Sequence, residues 1–533
     1  MRGLALSLAL YAVTASADTP GGAAPGRALR HVTFLHIADS HAQLETHAEY
    51  MPGEDPPFAR MGGYARLKAV LDEERHRAPG AVFTADGGDT FQGSAAAAWS
   101  SGEAVVGPLN ALGLDVFVPG NWEVVYGPEQ FRKLLSEVKA HVIAYNLRDT
   151  TTGARLYAPA VTLERGGVRV TFVGITDPTT TQRQPPDEVR GLDTTRMAGL
   201  RDFVEQVRAR EKPDLVVAVT HTGLTVSRQL AREVPAFDVI LSGHTHERTY
   251  APIHEGRVTI VEPGSMGSFV GRLEVVVGEH GGVARERFEL IPVRASRYDE
   301  DPRVAQLVRT VEAPYRARMD RVVGRTETPI LRYDVLETSA DDLVSDAVRE
   351  AAGADIGSTN GFRFTPPILP GPVTEGQLWN LLPLDARMKM GWITGRELRS
   401  YLESELELVF SKDAWKLSGG WGPRLSGVRL RFAAGAPTGH RIVGLEVRGR
   451  EVEDSDRFTF AGCERAGEPL DVVCRLAGVH DASVLPLTIH QALDGYFQRH
   501  GTVAPRPDGR EIAVDLPRCV FSQDAVLTEK EIQ

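Results

Sequence analysis

The stretch His31–Gln43 reads HVTFLHIADSHAQ, and its reading decides the fold. Eight largely apolar residues with a β-branched Val, Thr and Ile make a short buried strand, and the polar set Asp39, Ser40 and His41 follows at once. The pattern repeats downstream. AVFTA runs into Asp86-Gly87-Gly88-Asp89, DVFV into Pro119-Gly120-Asn121, DLVVAVT into His221-Thr222-Gly223, and FDVILSG into His244-Thr245-His246. Between these runs, and around a further strand VRVTFVGI, lie amphipathic segments such as YARLKAVLDEERHRA, EQFRKLLSEVKA and AGLRDFVEQVRARE. Buried strands alternating with helices predict an α/β layered domain. The later stretch RVTIVEPGSMGSFVGRLEVVV reads as paired antiparallel strands, so the sheet is predicted to be mixed.

At 533 residues the chain exceeds what one core supports, and two domains are expected. The change of character falls near residue 300, where DPRVAQLVRTVEAPYRARMDRVV reads as a charged amphipathic connector helix. The division is 27–297 for the first domain, 298–321 for the linker helix and 322–525 for an α+β second domain containing segments such as TGRELRSYLESELELVF and GVRLRF. Ahead of these, Met1–Ala17 has a single Arg, an apolar run from Leu4 to Val13 and Ala-Ser-Ala before Asp18, the layout of a cleavable signal peptide. That predicts an exported chain, periplasmic or secreted, with no membrane span, since no run reaches the ~18 apolar residues a span needs. A formal net charge of -11 argues against nucleic acid as a partner. Cys463, Cys474 and Cys519 permit one disulfide, with a pairing that sequence does not reveal, and no CxxC thiolate metal site exists.

Open α/β sheets build their sites at the carboxyl ends of their strands, so the groups at the five strand ends can converge. The set Asp39, His41, Asp89, Asn121, His221, His244 and His246 offers oxygen and nitrogen donors and no sulfur, which suits Mn, Fe or Zn. Seven ligands exceed one tetrahedral site, and a carboxylate can bridge. A pair of divalent ions ~3.5–4 Å apart, activating a water for hydrolysis, is the reading of the set as a whole. Any one of these motifs alone fits a turn or a cap.

The segments HIADSHAQ, GGDTFQGS, GNWEVVYG, THTG and SGHTHE resemble, in order and spacing, the 5'-nucleotidase branch of the calcineurin-like metallophosphoesterases. The resemblance implies a four-layer N-terminal domain of mixed sheets flanked by helices, followed by a 5'-nucleotidase-type substrate domain. It implies one ion on Asp39, His41, Asp89 and His246, and the other on Asp89, Asn121, His221 and His244, with Asp89 bridging. Nucleotidases of this kind carry Gly-Asn-His-Glu-Phe-Asp in the third loop, where the His and Asp assist phosphoryl transfer. Here Trp122 and Val125 occupy those places.

The thiosulfohydrolase branch of bacterial sulfur oxidation, which releases sulfate from a cysteine-bound adduct on a carrier protein with a manganese pair, is similar in having Trp at this place, although its loop usually has His where Asn121 stands. STNGFRF, LPGPVTEGQLWNLLPL and DAWKLSGGWGPRLSG also look like that branch, and no Gly-Gly-Asp-Gly-aromatic segment for stacking a base is found. On this reading Asn121 and Trp122 shape catalysis, and Arg363, supported by Asn360, is a candidate oxyanion clamp or else an interface ion pair. Trp415 and Trp421 are either channel-lining or core aromatics. Three readings stand: a sulfur-linked sulfonate hydrolase with a Cys-bearing carrier as partner, a phosphomonoesterase such as a 5'-nucleotidase, and a metal-binding protein without turnover.

Overall fold

The computed structural model describes residues 30–78, 80–333, 335–359, 365–417 and 422–516. The leader Met1–Ala17, Asn360, Arg363, Trp421 and Cys519 lie outside these.

The N-terminal domain is built on two six-stranded sheets. In the first, Arg30–Ile37 pairs parallel with Ala81–Asp86, which continues parallel through Val116–Phe117 to His141–Val142. On its other side Arg30–Ile37 pairs antiparallel with Phe269–Val277, itself antiparallel to Val283–Pro292. In the second sheet Val168–Ile175, Leu215–Thr220, Val239–Ser242 and Val258–Val261 run parallel, with antiparallel edges at Ala160–Arg165 and Ile253–Glu255. Both sheets are mixed. The predicted hairpin over Arg257–Val277 does not form: Val258–Val261 joins the second sheet and Phe269–Val277 the first. Pro263 and the positive-φ Gly264 redirect the chain between them, and each run finds a longer partner elsewhere.

The two sheets face each other across a dry core. Phe34, Phe83 and Phe172 form its centre, with ring centroids 5.5 to 6.3 Å apart. Fully burying each such ring stabilises the fold by about 1.5–3 kcal/mol. Helices cover both outer faces. Tyr64–Arg77, Glu103–Leu112, Pro128–Glu137 and Pro302–Glu312 lie on the first sheet, and Leu200–Glu211 and Leu224–Glu233 on the second. The result is the four-layer arrangement expected.

The connector differs from the single helix that its sequence suggests. It is two helices, Pro302–Glu312 and Arg316–Met319, because Pro314 cannot donate to the helical ladder. Asp301 caps the first of them, accepting from the amides of Arg303 and Val304. Val304, Ala305 and Val308 then pack into the N-terminal core, so this helix is a packed layer and not a solvent-bridging rod.

The C-terminal domain centres on a five-stranded sheet in the order Arg424–Ser426, Ile356–Thr359, Arg457–Cys463, Arg387–Thr394, His480–Thr488. Helices Ser339–Ala352, Glu375–Leu381, Gly395–Phe410 and Ile489–His500 pack on it. Thr374, Thr394 and Thr488 each begin a helix with a reciprocal capping box, which fixes where strand gives way to helix. Cys463 and Cys474 are joined by a disulfide, with Cα atoms 4.8 Å apart.

Candidate dimetal centre

The carboxyl ends of the two sheets meet, and the seven residues singled out by sequence come together there. Asp39, Asp89 and Asn121 leave the first sheet; His221, His244 and His246 leave the second; His41 follows Asp39 by one turn. All seven are at most 6% exposed. Five of them, Asp39, His41, Asp89, His244 and His246, hold φ between 45° and 94°. A non-glycine residue in that region costs about 1–3 kcal/mol, and the surrounding fold must impose it. Gly120 makes the convergence possible: a Cβ there would stand 2.3 Å from Asp89 Oδ1 and 2.7 Å from His221 Cε1.

The atoms fall into two groups, Asp39–His41–His246 and Asp89–His221–His244. In the first, His246 Nε2 lies 3.1 Å from His41 Nε2 and 3.3 Å from Asp39 Oδ1. In the second, His221 Nε2 lies 3.1 Å from Asp89 Oδ2, 3.2 Å from Asn121 Oδ1 and 3.2 Å from His244 Nδ1. Asp89 Oδ2 is also 4.0 Å from His41 Nε2, which places this carboxylate between the groups.

The donor arithmetic favours cations. His41 Nδ1 faces the Gln92 carbonyl at 3.1 Å and His221 Nδ1 the Gly87 carbonyl at 2.7 Å. A carbonyl only accepts, so each ring places its proton outward and turns its Nε2 lone pair into the cluster. There it meets carboxylate and amide oxygens that are also acceptors. Asp39 Oδ1 is buried without a hydrogen-bond partner. Burial works to raise the pKa values of Asp39 and Asp89, yet His246 and His221 outweigh it and hold both carboxyls below their usual range. Burial would lower His221, but Asp89 and Asp39 push it up to about 10, so positive charge is required at that position. His41, by contrast, is lowered to about 4 by burial and by the neighbouring His246, and stays a neutral donor. Two divalent cations, one on Asp39, His41, Asp89 and His246 and the other on Asp89, Asn121, His221 and His244, fit this donor set and would supply Lewis acidity and an activated water.

Residues 32–248 match the family described as calcineurin-like phosphoesterase, and residues 322–463 match the 5'-nucleotidase C-terminal domain; together the matches take up well over half of the chain. The chain belongs to the calcineurin-like phosphoesterases of 5'-nucleotidase type. It is therefore a metal-dependent hydrolase.

The phosphoesterase is 24% identical over 469 residues to the trifunctional nucleotide phosphoesterase YfkN of Bacillus subtilis, covering 79% of this chain and 30% of that much longer protein. It is 22% identical over 493 residues to the 5'-nucleotidase of Vibrio cholerae, covering 82% and 85% of the two chains. Among solved structures, the sulfate thiohydrolase SoxB of Thermus thermophilus superposes with a TM-score of 0.84 at 24% identity, covering 92% of this chain and 97% of that one. A 5'-nucleotidase precursor from the same organism gives 0.80 at 21%, covering 91% and 100%. These likenesses establish the fold and do not choose between the two chemistries.

Several residues that hold the phosphoesterase's site together were not singled out from sequence. Glu123, 1% exposed, accepts from the amides of Gly120 (2.6 Å) and Asp89 (3.1 Å) on one oxygen, and from Thr90 (2.6 Å) and Phe91 (3.4 Å) on the other. It thereby ties the Asp89 loop to the Asn121 loop. Asp86 is no ligand: it accepts from the Gly88 amide and the Thr90 hydroxyl, and burial pushes it up to about 8. Gln184 donates to the Asn121 carbonyl at 2.8 Å. Arg183 ion-pairs with Asp177, and its Nη2 sits 3.2 Å from His244 Nε2. Glu123 was visible in the quoted loop as the residue after Trp122; Arg183 and Gln184 follow a strand end without a recognisable pattern.

Trp122 donates its backbone N–H to Asp89 Oδ1 at 2.8 Å. Its half-buried indole reaches the C-terminal core cluster and lines an interdomain cleft of about 210 Å³, along with Gln184, Glu188, Leu384, Arg465 and Ile489. Val125 is buried. Trp415 belongs to neither sequence-based alternative: it packs across the domain boundary onto helix Leu224–Glu233, its Nε1 donating to Glu233 Oε1 at 2.9 Å. No helix among the described residues is long and apolar enough to cross a membrane.

Proposed function

We propose that this phosphoesterase-fold enzyme is an exported thiosulfohydrolase-type hydrolase, releasing sulfate from a sulfur-linked sulfonate carried on a cysteine of a partner protein. Water would attack the terminal sulfur; the S–S bond breaks, an S–O bond forms, and the bonding electron pair leaves on the carrier-side sulfur. The single observation that carries this reading is Trp122. It stands where the resembled nucleotidases have a catalytic His, with buried Val125 in place of its Asp partner, and its indole walls the cleft beside the cation ligands. Loss of a group that stabilises transition-state charge costs a phosphoryl-transfer enzyme ~10²-fold or more, so keeping a Trp there favours another substrate. Manganese fits the oxygen- and nitrogen-rich ligand set, with zinc or iron as substitutes. In this reading 27–297 carries the cations, 298–321 joins the domains, and 322–525 shapes the substrate side, with Arg363 and Asn360 as further substrate contacts.

One observation favours a phosphomonoester instead: Asn121, the residue of the nucleotidase pattern, lies among the ligands, and curated relatives bear 5'-nucleotidase names. The test is hydrolysis by the manganese-loaded protein of 5'-AMP and, in parallel, of a peptide bearing cysteine S-thiosulfonate. Sulfate release with negligible phosphate is expected. Phosphate release from AMP at ordinary enzymatic rates overturns the sulfur reading.

A further inference from the structure

We infer that Arg183 grips the tetrahedral oxyanion of the substrate at the dimetal centre. The inference rests on the dimetal reading of the site and is independent of whether the anion is a sulfonate or a phosphate.

The starting point is how the imidazoles are supported. A metal-binding imidazole ordinarily hands its outer N–H to an acceptor. His41 and His221 do so, to the carbonyls of Gln92 and Gly87. His244 is arranged differently. Its Nδ1 faces into the cluster, 3.2 Å from His221 Nε2, and its outer Nε2 meets the Arg183 guanidinium at 3.2 Å. A neutral imidazole that turns its Nδ1 lone pair to a cation keeps its proton on Nε2. Two N–H donors then face one another, and a guanidinium cannot relieve this by giving up its proton. An anionic oxygen placed between them accepts from both.

Arg183 is also built to stay where it is. Asp177, whose side chain is 4% exposed, pairs with its Nη2, and Arg465 of the C-terminal domain donates to its carbonyl. Next in sequence, Gln184 holds the Asn121 loop at 2.8 Å, and the Asp187 amide donates to the Ala466 carbonyl at 3.3 Å. The guanidinium is thus fixed from both domains, at the cluster's edge, while its neighbours Gln184 and Pro185 line the Trp122 cleft. A planar fork held in this way suits a tetrahedral oxyanion better than a mobile Lys would. An oxyanion at the cations can then leave the rest of its molecule in the cleft.

The test is calorimetric titration of the manganese-loaded full chain with sulfate and, separately, with phosphate, for the wild type, Arg183→Gln and Arg183→Lys, with metal content measured on each. The expectation is full metal content in both variants, anion affinity lower by about tenfold or more in Arg183→Gln, and partial recovery in Arg183→Lys. Wild-type anion binding by Arg183→Gln overturns the inference. So does loss of metal along with the anion, because Arg183 would then be a support for His244 and not an anion contact. Should the glutamine variant fail to fold, the lysine variant decides: weaker anion binding at full metal content supports the assignment, and unchanged binding refutes it. The relative affinity for sulfate and phosphate shows which anion the slot prefers. None of these outcomes is decided by the product assay above, so the two readings can fail separately.

Discussion

Glu123→Gln isolates the role of the residue that ties the two ligand loops together. The side chain keeps its shape, but one carboxylate oxygen becomes an NH₂. Whichever way the amide turns, that NH₂ faces backbone donors: Gly120 and Asp89 on one side, or Thr90 and Phe91 on the other. The cheaper orientation sacrifices the Thr90 side, where one bond is 2.6 Å and the other, at 3.4 Å, is weak. One buried donor left unmade costs about 1–3 kcal/mol, and the surviving bonds lose their charge assistance, so the total is on the order of 2–4 kcal/mol. The penalty falls on the loops that hold Asp89 and Asn121. If about 2 kcal/mol of it opposes their cation-binding arrangement, metal affinity falls about 30-fold. The assay is manganese titration of the metal-free protein by calorimetry, with urea unfolding of the same samples. Manganese affinity within threefold of wild type together with an unchanged unfolding midpoint would refute the argument that Glu123 organises the site.

Other perturbations probe separate links. Asp89→Ala should abolish loading at both positions, checked by metal analysis, and retained turnover would exclude a bridging role. Gly120→Ala alters no ligand, yet its Cβ would collide with Asp89 and His221; it should weaken metal binding by tenfold or more, and unaltered affinity would mean that the loops yield easily. Removing metal with a chelator should lower the thermal unfolding midpoint, with recovery on adding manganese, because cations that bind only the native cluster stabilise it by mass action. Burial pushes Glu188 in the cleft up to about 8, Arg465 opposing. A raised carboxyl contributes stability in full below its unfolded pKa of ~4.3 and loses it as pH rises through 8. Urea midpoints of wild type should therefore fall relative to Glu188→Gln between pH 5 and 9; parallel curves would contradict the assignment.

The ligand set was legible in the sequence for a physical reason. Each ligand sits directly after a buried strand, and in an α/β sheet the strand fixes where its end must be. The same local logic carried the α/β class, the mixed sheets and the helix caps such as Thr394, whose partner lies three residues away. What sequence alone left open were relations between distant segments. The run Arg257–Val277 looks like a hairpin because pairing of neighbours is the default; which sheet each strand joins depends on partners more than two hundred residues off, as Phe269–Val277 finds in Arg30–Ile37. The connector helix is broken by Pro314, and whether it packs or bridges was decided by the apolar face it found on the first sheet. Arg183 is an ordinary arginine until the fold sets it beside His244, and Trp122 a strange residue beside a ligand until the second domain supplies the other wall of its cleft. Local spacing determines which atoms can reach a strand's end; only the tertiary structure decides what stands opposite them, because that is settled by how the two domains pack.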